Sequence, residues 1–110
     1  MKAMVLRAPS DLVLDEVARP QPAPGQVLVR ITHSGICGTD WKIYNGSIPV
    51  PYPLIPGHEM AGERVDTGER VIIDPETYDG TCFYCQKGLT NLCPNGALIG
   101  RDVMAASPNT

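Results

Sequence analysis

Aromatic side chains are scarce: one Trp, one Phe and four Tyr in 110 residues. A core built from this chain must therefore rest on Val, Leu, Ile and Met. No basic block and no interleaving of aromatic with basic residues occurs, and the formal charge is −3, which excludes nucleic acid as an expected partner. No apolar run approaches the length of a membrane span, so no membrane partner is expected either. The opening residues, Met1-Lys2-Ala3-Met4-Val5-Leu6-Arg7, lack the apolar stretch and cleavage site of a signal peptide, and a cytoplasmic location is the expectation. In a reducing compartment four cysteines point to metal or redox use rather than structural disulfides.

What is abundant is punctuation. Eleven glycines and eleven prolines make up a fifth of the chain, too many helix breakers for a bundle. The length suits one domain with one modest core, residues 1–110. Residues 2–8 and 12–17 read as strands around a turn at Pro9-Ser10-Asp11. Residues 19–25, with Pro20, Pro22 and Pro24, cannot be regular. Residues 26–32 alternate, with Val27, Val29 and Ile31 on one face and Arg30 and Thr32 on the other. Residues 39–44 predict a short helix capped by Thr39 and stopped at Asn45-Gly46. Four prolines make residues 48–56 an extended surface segment. Strands are predicted at 59–65 and 69–74, around Asp66-Thr67-Gly68, and at 97–99, while 104–110 shows no pattern. The fold class is mainly β.

Between Asp79 and Cys93 lies a loop dense in ligand atoms. Cys82 and Cys85, two residues apart, can bend to present both sulfurs to one ion, and Cys93 follows after a turn at Gly88. Asp79 stands at the same three-residue step before Cys82, so three thiolates and a carboxylate make an acceptable zinc set. A redox pair or a disulfide between Cys82 and Cys85 is the alternative, although redox pairs normally open a helix in an α/β setting. Cys37 and His58 sit in glycine-rich context and could be two ligands of an open zinc site, with Asp40 orienting the ring and Thr39 passing a proton. A buried thiol and a capped imidazole explain the same two residues.

Taken together, Ile36-Cys37-Gly38-Thr39-Asp40, Pro56-Gly57-His58-Glu59-Met60-Ala61-Gly62-Glu63, Gly68-Glu69-Arg70-Val71 and the Cys82-Cys85-Cys93 loop resemble the zinc-dependent medium-chain alcohol dehydrogenases. The resemblance runs from Met1 to about Val103, and Met104 begins a divergent tail. It implies a GroES-like fold: a partly open β-barrel with a short helix and a protruding zinc lobe at about residues 79–93. It further implies that Cys37 and His58 are catalytic-zinc ligands, Thr39 the proton relay and Asp40 the partner of the ligand histidine. Glu59 would sit beside the metal and ligate it, as in some polyol-type relatives. Asp79, Cys82, Cys85 and Cys93 would hold a structural zinc, with Asp79 where cysteine is usual. The implied reaction is oxidation of an alcohol or polyol with NAD(P).

The chain also departs from the family pattern. No G-x-G-x-x-G nucleotide fingerprint occurs within these residues. The remaining ligand of the catalytic zinc lies beyond Cys93 in the family, and Lys42 stands where many relatives carry a proton-shuttling histidine. The stretch from Gly62 to Gly68 is shorter than usual, as if a barrel strand were missing. The expectation is that this chain alone lacks activity and pairs its open β edges with a second copy as a dimer, or meets a nucleotide-binding domain in trans. The alternative is a metal-stabilised binding module or a non-catalytic relic.

Overall fold

The computed structural model describes residues 1–105, so most of the expected patternless tail lies outside the described residues. Three small antiparallel sheets account for the strands. The first is the hairpin of β1 (Lys2–Ala8) and β2 (Asp11–Glu16), near its predicted bounds. The second orders β3 (Val29–Ser34), β4 (Met60–Arg64) and β5 (Arg70–Ile73). The third pairs β6 (Glu76–Thr77) with β7 (Ala97–Leu98). These open sheets, with the seven-residue helix α1 (Gly38–Tyr44) and a separate lobe, match the expected mainly β class.

Leu6, Ile43 and Leu54 are fully buried and form the core, with Tyr44, Ile48, Val50 and Met104 packed around them. Burying an aliphatic side chain of this size stabilises by about 1.5–3 kcal/mol, so β1, α1 and the proline-rich segment fasten one another. That segment is extended as expected but is more than surface. Prolines at 49, 51, 53 and 56 have no N–H to offer a ladder. Leu54 keeps its own, and it exchanges two hydrogen bonds with Leu6 at 2.8 and 2.9 Å. One unblocked residue therefore pins the whole stretch to β1.

β3 begins later and runs further than the alternation predicted. The Leu28 carbonyl accepts from Val65, but regular pairing starts only at Val29 against Arg64 and shifts register between Ile31 and His33. Val27 and Ile31 remain 47% and 43% exposed, because the sheet does not close over them. They border an open apolar groove that also takes in Val29, Met60, Val71 and Ile73. The β4–β5 turn is tight. Arg64 grips Asp66 with two hydrogen bonds at 3.0 and 2.7 Å, and Gly68 donates to the Arg64 carbonyl.

The helix start needs correcting. Cys37, not Thr39, caps α1. Its sulfur accepts from the Thr39 N–H, and Asp40 reaches back to accept from the Cys37 N–H at 2.9 Å. The reciprocal arrangement is a capping box with sulfur in place of a hydroxyl. Asn45 closes the helix as expected.

Candidate metal centres

The β6–β7 pair is the stalk of the lobe, doubled by the Thr77 hydroxyl, which donates to the Ala97 carbonyl and accepts from its N–H. Asp79 leaves the stalk two residues after Thr77, and Cys93 returns four residues before Ala97. The sequence between was read as irregular loop; it contains a one-turn helix, α2 (Phe83–Gln86), and a 3-10 turn at Thr90–Leu92. α2 starts on Cys82, whose sulfur accepts from the Cys85 N–H at 3.4 Å. This is how the two-residue spacing folds both sulfurs to one side.

One ligand atom each from Asp79, Cys82, Cys85 and Cys93 lies within 4.8 Å of the others. A tetrahedral zinc with Zn–S near 2.3 Å needs donors roughly 3.8 Å apart, so a contraction below about 1 Å closes the set. The carboxylate is already oriented. One oxygen accepts from the Thr81 and Cys82 amides at 2.9 and 3.0 Å, the other from the Asn95 side chain at 2.7 Å. A carboxylate has about four acceptor sites, which leaves one for an ion. These bonds, that of Asn95 first, hold the Asp79 carboxyl well below the usual range. The thiols diverge. Partial burial and the neighbouring Cys82 sulfur push Cys85 up to about 12, while the Asp79 and Asn95 amides draw Cys93 down. Asn95 was not singled out from the sequence; an Asn-Gly pair signals a turn, and nothing in its spacing marks it as the clamp on Asp79.

The second cluster joins segments on either side of the proline-rich stretch. Cys37 comes from the cap of α1, and His58 and Glu59 come from the residues leading into β4. Their ligand atoms also lie within 4.8 Å of one another, and Cys37 Sγ is 3.0 Å from His58 Nε2. Asp40 Oδ1 stands 3.4 Å from His58 Nδ1, and both atoms are sealed from solvent with no other partner. The carboxylate thus faces the far nitrogen of the ring and turns Nε2 toward the sulfur, while its other oxygen holds the Cys37 amide. Thr39 touches Cys37 through its own N–H, at 3.3 Å. Gly35 donates its N–H to the Glu59 carbonyl at 2.8 Å, and a Cβ there would overlap the Glu59 carboxylate. Lys42 is exposed a turn further along α1. All four cysteines are free thiols.

Sulfur, imidazole and carboxylate are the donor types that zinc takes, and in both clusters backbone N–H groups already point at sulfur, as they do toward a thiolate. Residues 23–107 match the alcohol dehydrogenase GroES-like domain. The chain belongs to that family. It is 37% identical over 111 residues to a zinc-type alcohol dehydrogenase-like protein of Haemophilus influenzae, with 91% of this chain and 32% of that protein covered. An Escherichia coli alcohol dehydrogenase solved with NADH superposes on 94% of this chain and 33% of its own, with a TM-score of 0.86 and 35% identity. A thermostable alcohol dehydrogenase from Pyrobaculum aerophilum solved with cobalt and zinc covers 96% of this chain and 36% of its own, at 0.87 and 30%. The chain thus spans about a third of the length of the curated relatives it matches. Among these relatives one was thus solved with the nicotinamide nucleotide and another with metal.

Proposed function

We propose that these 110 residues form one GroES-like domain supplying the zinc side of an NAD(P)-dependent oxidation of an alcohol or polyol, in the cytoplasm. The observation that carries this reading is the Cys37–His58 pair at 3.0 Å with Asp40 sealed behind the ring. Cys37, His58 and Glu59 would hold a catalytic zinc. A zinc ion in that position supplies Lewis-acid chemistry, drawing charge from the oxygen of a bound alcohol. Asp40 keeps the imidazole turned toward the site, and the Thr39 hydroxyl, at the first turn of α1, would act as a relay, receiving the alcohol's proton while passing its own hydroxyl proton on to solvent. Glu59, the exposed member of the cluster, would be the third ligand. Asp79, Cys82, Cys85 and Cys93 would hold a structural zinc that stiffens the lobe, residues 79–93. The nicotinamide nucleotide is held by residues outside these 110, in the same polypeptide or in a partner that meets it in trans.

Metal content of the purified, reduced chain tests the two sites together. One zinc per chain should survive dialysis, in the lobe. A second should load only at raised zinc and leave readily, because three donors with one of them exposed make a weaker set than four. Two equally tight ions, or none, would contradict this assignment.

A second reading is favoured by the sheet edges. β5 closes one side of its sheet with nothing beyond it among the described residues, and Ile72 on it is 87% exposed. The same sheet also lines the apolar groove around Val27 and Ile31. Edges and faces of this kind pair with a second chain, which gives a metal-stabilised dimerisation module, whether or not it also serves a reaction. Sedimentation of the 110-residue chain should give twice the monomer mass at micromolar concentration. A monomer persisting at high micromolar concentration would remove this reading.

A further inference from the structure

His58 is the ligand whose position the local sequence explains least. It follows Gly57, a buried residue at φ +122 with no regular structure on either side. The Gly57 backbone is backed by another buried glycine, Gly100, at φ +83. A Cβ on Gly100 would overlap the Gly57 carbonyl oxygen and lie 2.5 Å from its carbonyl carbon and 2.7 Å from its nitrogen. No side chain fits there, and the obstacle is backbone, which cannot swing away.

Gly100 is itself held. It follows β7 at the end of the lobe stalk, and it donates to the Val103 carbonyl at 2.7 Å. The preceding Ile99 donates to the Pro75 carbonyl at 2.9 Å, which ties the turn back to the strand opposite. Asp102 clamps the same turn by accepting from the Leu98 N–H at 2.8 Å, with the Arg101 guanidinium on its carboxylate. The turn that carries Gly100 is thus a stiff extension of the stalk, pressed against the residue before His58.

We propose that Gly100 is a positioning residue for the Cys37–His58–Glu59 site: its bare Cα lets the stalk seat Gly57 so that His58 Nε2 faces Cys37. The proposal rests on the reading of Cys37, His58 and Glu59 as metal ligands. Any side chain at position 100 pushes Gly57 outward and carries His58 with it, while the lobe ligands, which precede the turn, keep their arrangement.

The test uses the full chain with its lobe loaded by one equivalent of zinc, and cobalt(II) as the probe of the second site. Wild type should give a cobalt–thiolate absorption band that Cys37→Ser removes. Gly100→Ala should weaken cobalt at this site ten-fold or more with lobe zinc unchanged. Gly25→Ala is the control, since Gly25 has φ +84 but nothing within 4 Å of a built Cβ; it suffers the same backbone strain without the collision and should bind as wild type does. Equal affinity in Gly100→Ala and wild type, or equal losses in the two alanine variants, overturns the role of Gly100. Should Gly100→Ala fail to fold, Asp102→Ala, a surface change that loosens the same turn, must give a selective loss of several-fold, and wild-type cobalt affinity there overturns the proposal. If wild type itself takes no cobalt at Cys37, the metal-site reading fails and the role of Gly100 goes with it.

Discussion

Cys85→Ser is expected to strip the lobe of its zinc and lower the melting temperature in the same step. The two losses are linked because the lobe has little else to hold it. Among the described residues none of the lobe side chains is in the buried core, and Phe83, Leu89 and Leu92 are 66%, 44% and 51% exposed. What orders it without metal is a one-turn helix, a 3-10 turn, the hydrogen bonds of the Asp79 carboxylate and that of the Gln86 amide on the Thr81 carbonyl. In such a segment metal-binding energy is folding energy, on the order of 10–16 kcal/mol for structural zinc in small peptides. Forfeiting even a few kcal/mol of it should drop the midpoint by about 10 °C or more in a domain of this size. Serine preserves shape but offers a poor ligand, so the far-ultraviolet spectrum at low temperature should change little. Zinc content and calorimetry on the same samples check the link; full stability with no zinc in reduced wild type would break it.

The same site sets a pH dependence whose sign can be worked out. Without metal the Cys85 thiol is pushed up to about 12, so at neutral pH it carries its proton. Zinc takes the thiolate, and loading must expel that proton. Protons therefore compete with zinc at Cys85 more strongly than at an ordinary thiol, and retention falls as pH is lowered. The depressed Asp79 carboxyl does not join this competition near neutrality, because it stays charged far below the pH at which the thiols reprotonate.

How much of this was legible in the sequence follows from the range over which each contact acts. Cys82 and Cys85 are joined by a single turn of chain, so their spacing alone brings their sulfurs together, and Asp79 follows by the same step. Cys37 and His58 meet only because Leu54 anchors the intervening prolines to β1 and α1 packs Ile43 on the same core. No local pattern encodes that meeting, and it was read through the family resemblance of several segments together. Thr39 was taken for the helix cap because hydroxyls cap more often than thiols, whereas Asp40 at the third position selects Cys37 by bonding to its N–H. Asn95 and Gly100 escaped for one reason: each acts on a residue sixteen or more positions away, through a side-chain amide in one case and the absence of a side chain in the other. The alternation of Val27, Val29 and Ile31 predicts a strand with those three on one face, and the strand is there from Val29 onward. Burial, though, depends on what lies opposite, and the sheet here stays open.

The 110-residue chain, purified alone and supplied with zinc, is expected not to oxidise alcohols with NAD or NADP above background. On the proposed reading the site binds and activates an alcohol, with Cys37, His58 and Glu59 as donors, Asp40 holding the ring and the Thr39 hydroxyl relaying a proton. Among the described residues no strand-to-helix G-x-G-x-x-G turn is present to place the hydride acceptor. Pyrophosphate is normally held at a glycine-rich turn opening a helix. Among the described residues the two α-helices begin on Cys37 and Cys82, one of seven residues and one of four, and each cysteine sulfur already takes one of the N–H groups such a turn would offer. A nucleotide arriving from solution would have to find its own pose over the substrate, and positioning of that kind is worth roughly 7–11 kcal/mol in favourable cases, many orders of magnitude in rate. The assay follows nicotinamide reduction with primary alcohols, secondary alcohols and polyols. Adding a nucleotide-binding domain of the family in trans should raise turnover if the open groove and edges can receive it, and Cys37→Ser should abolish whatever appears. Zinc-dependent turnover by the chain alone, lost in Cys37→Ser, would mean that these residues hold the nucleotide through a surface other than a helix N-terminus, and the apolar groove bordered by Val27 and Ile31 would be the first place to substitute.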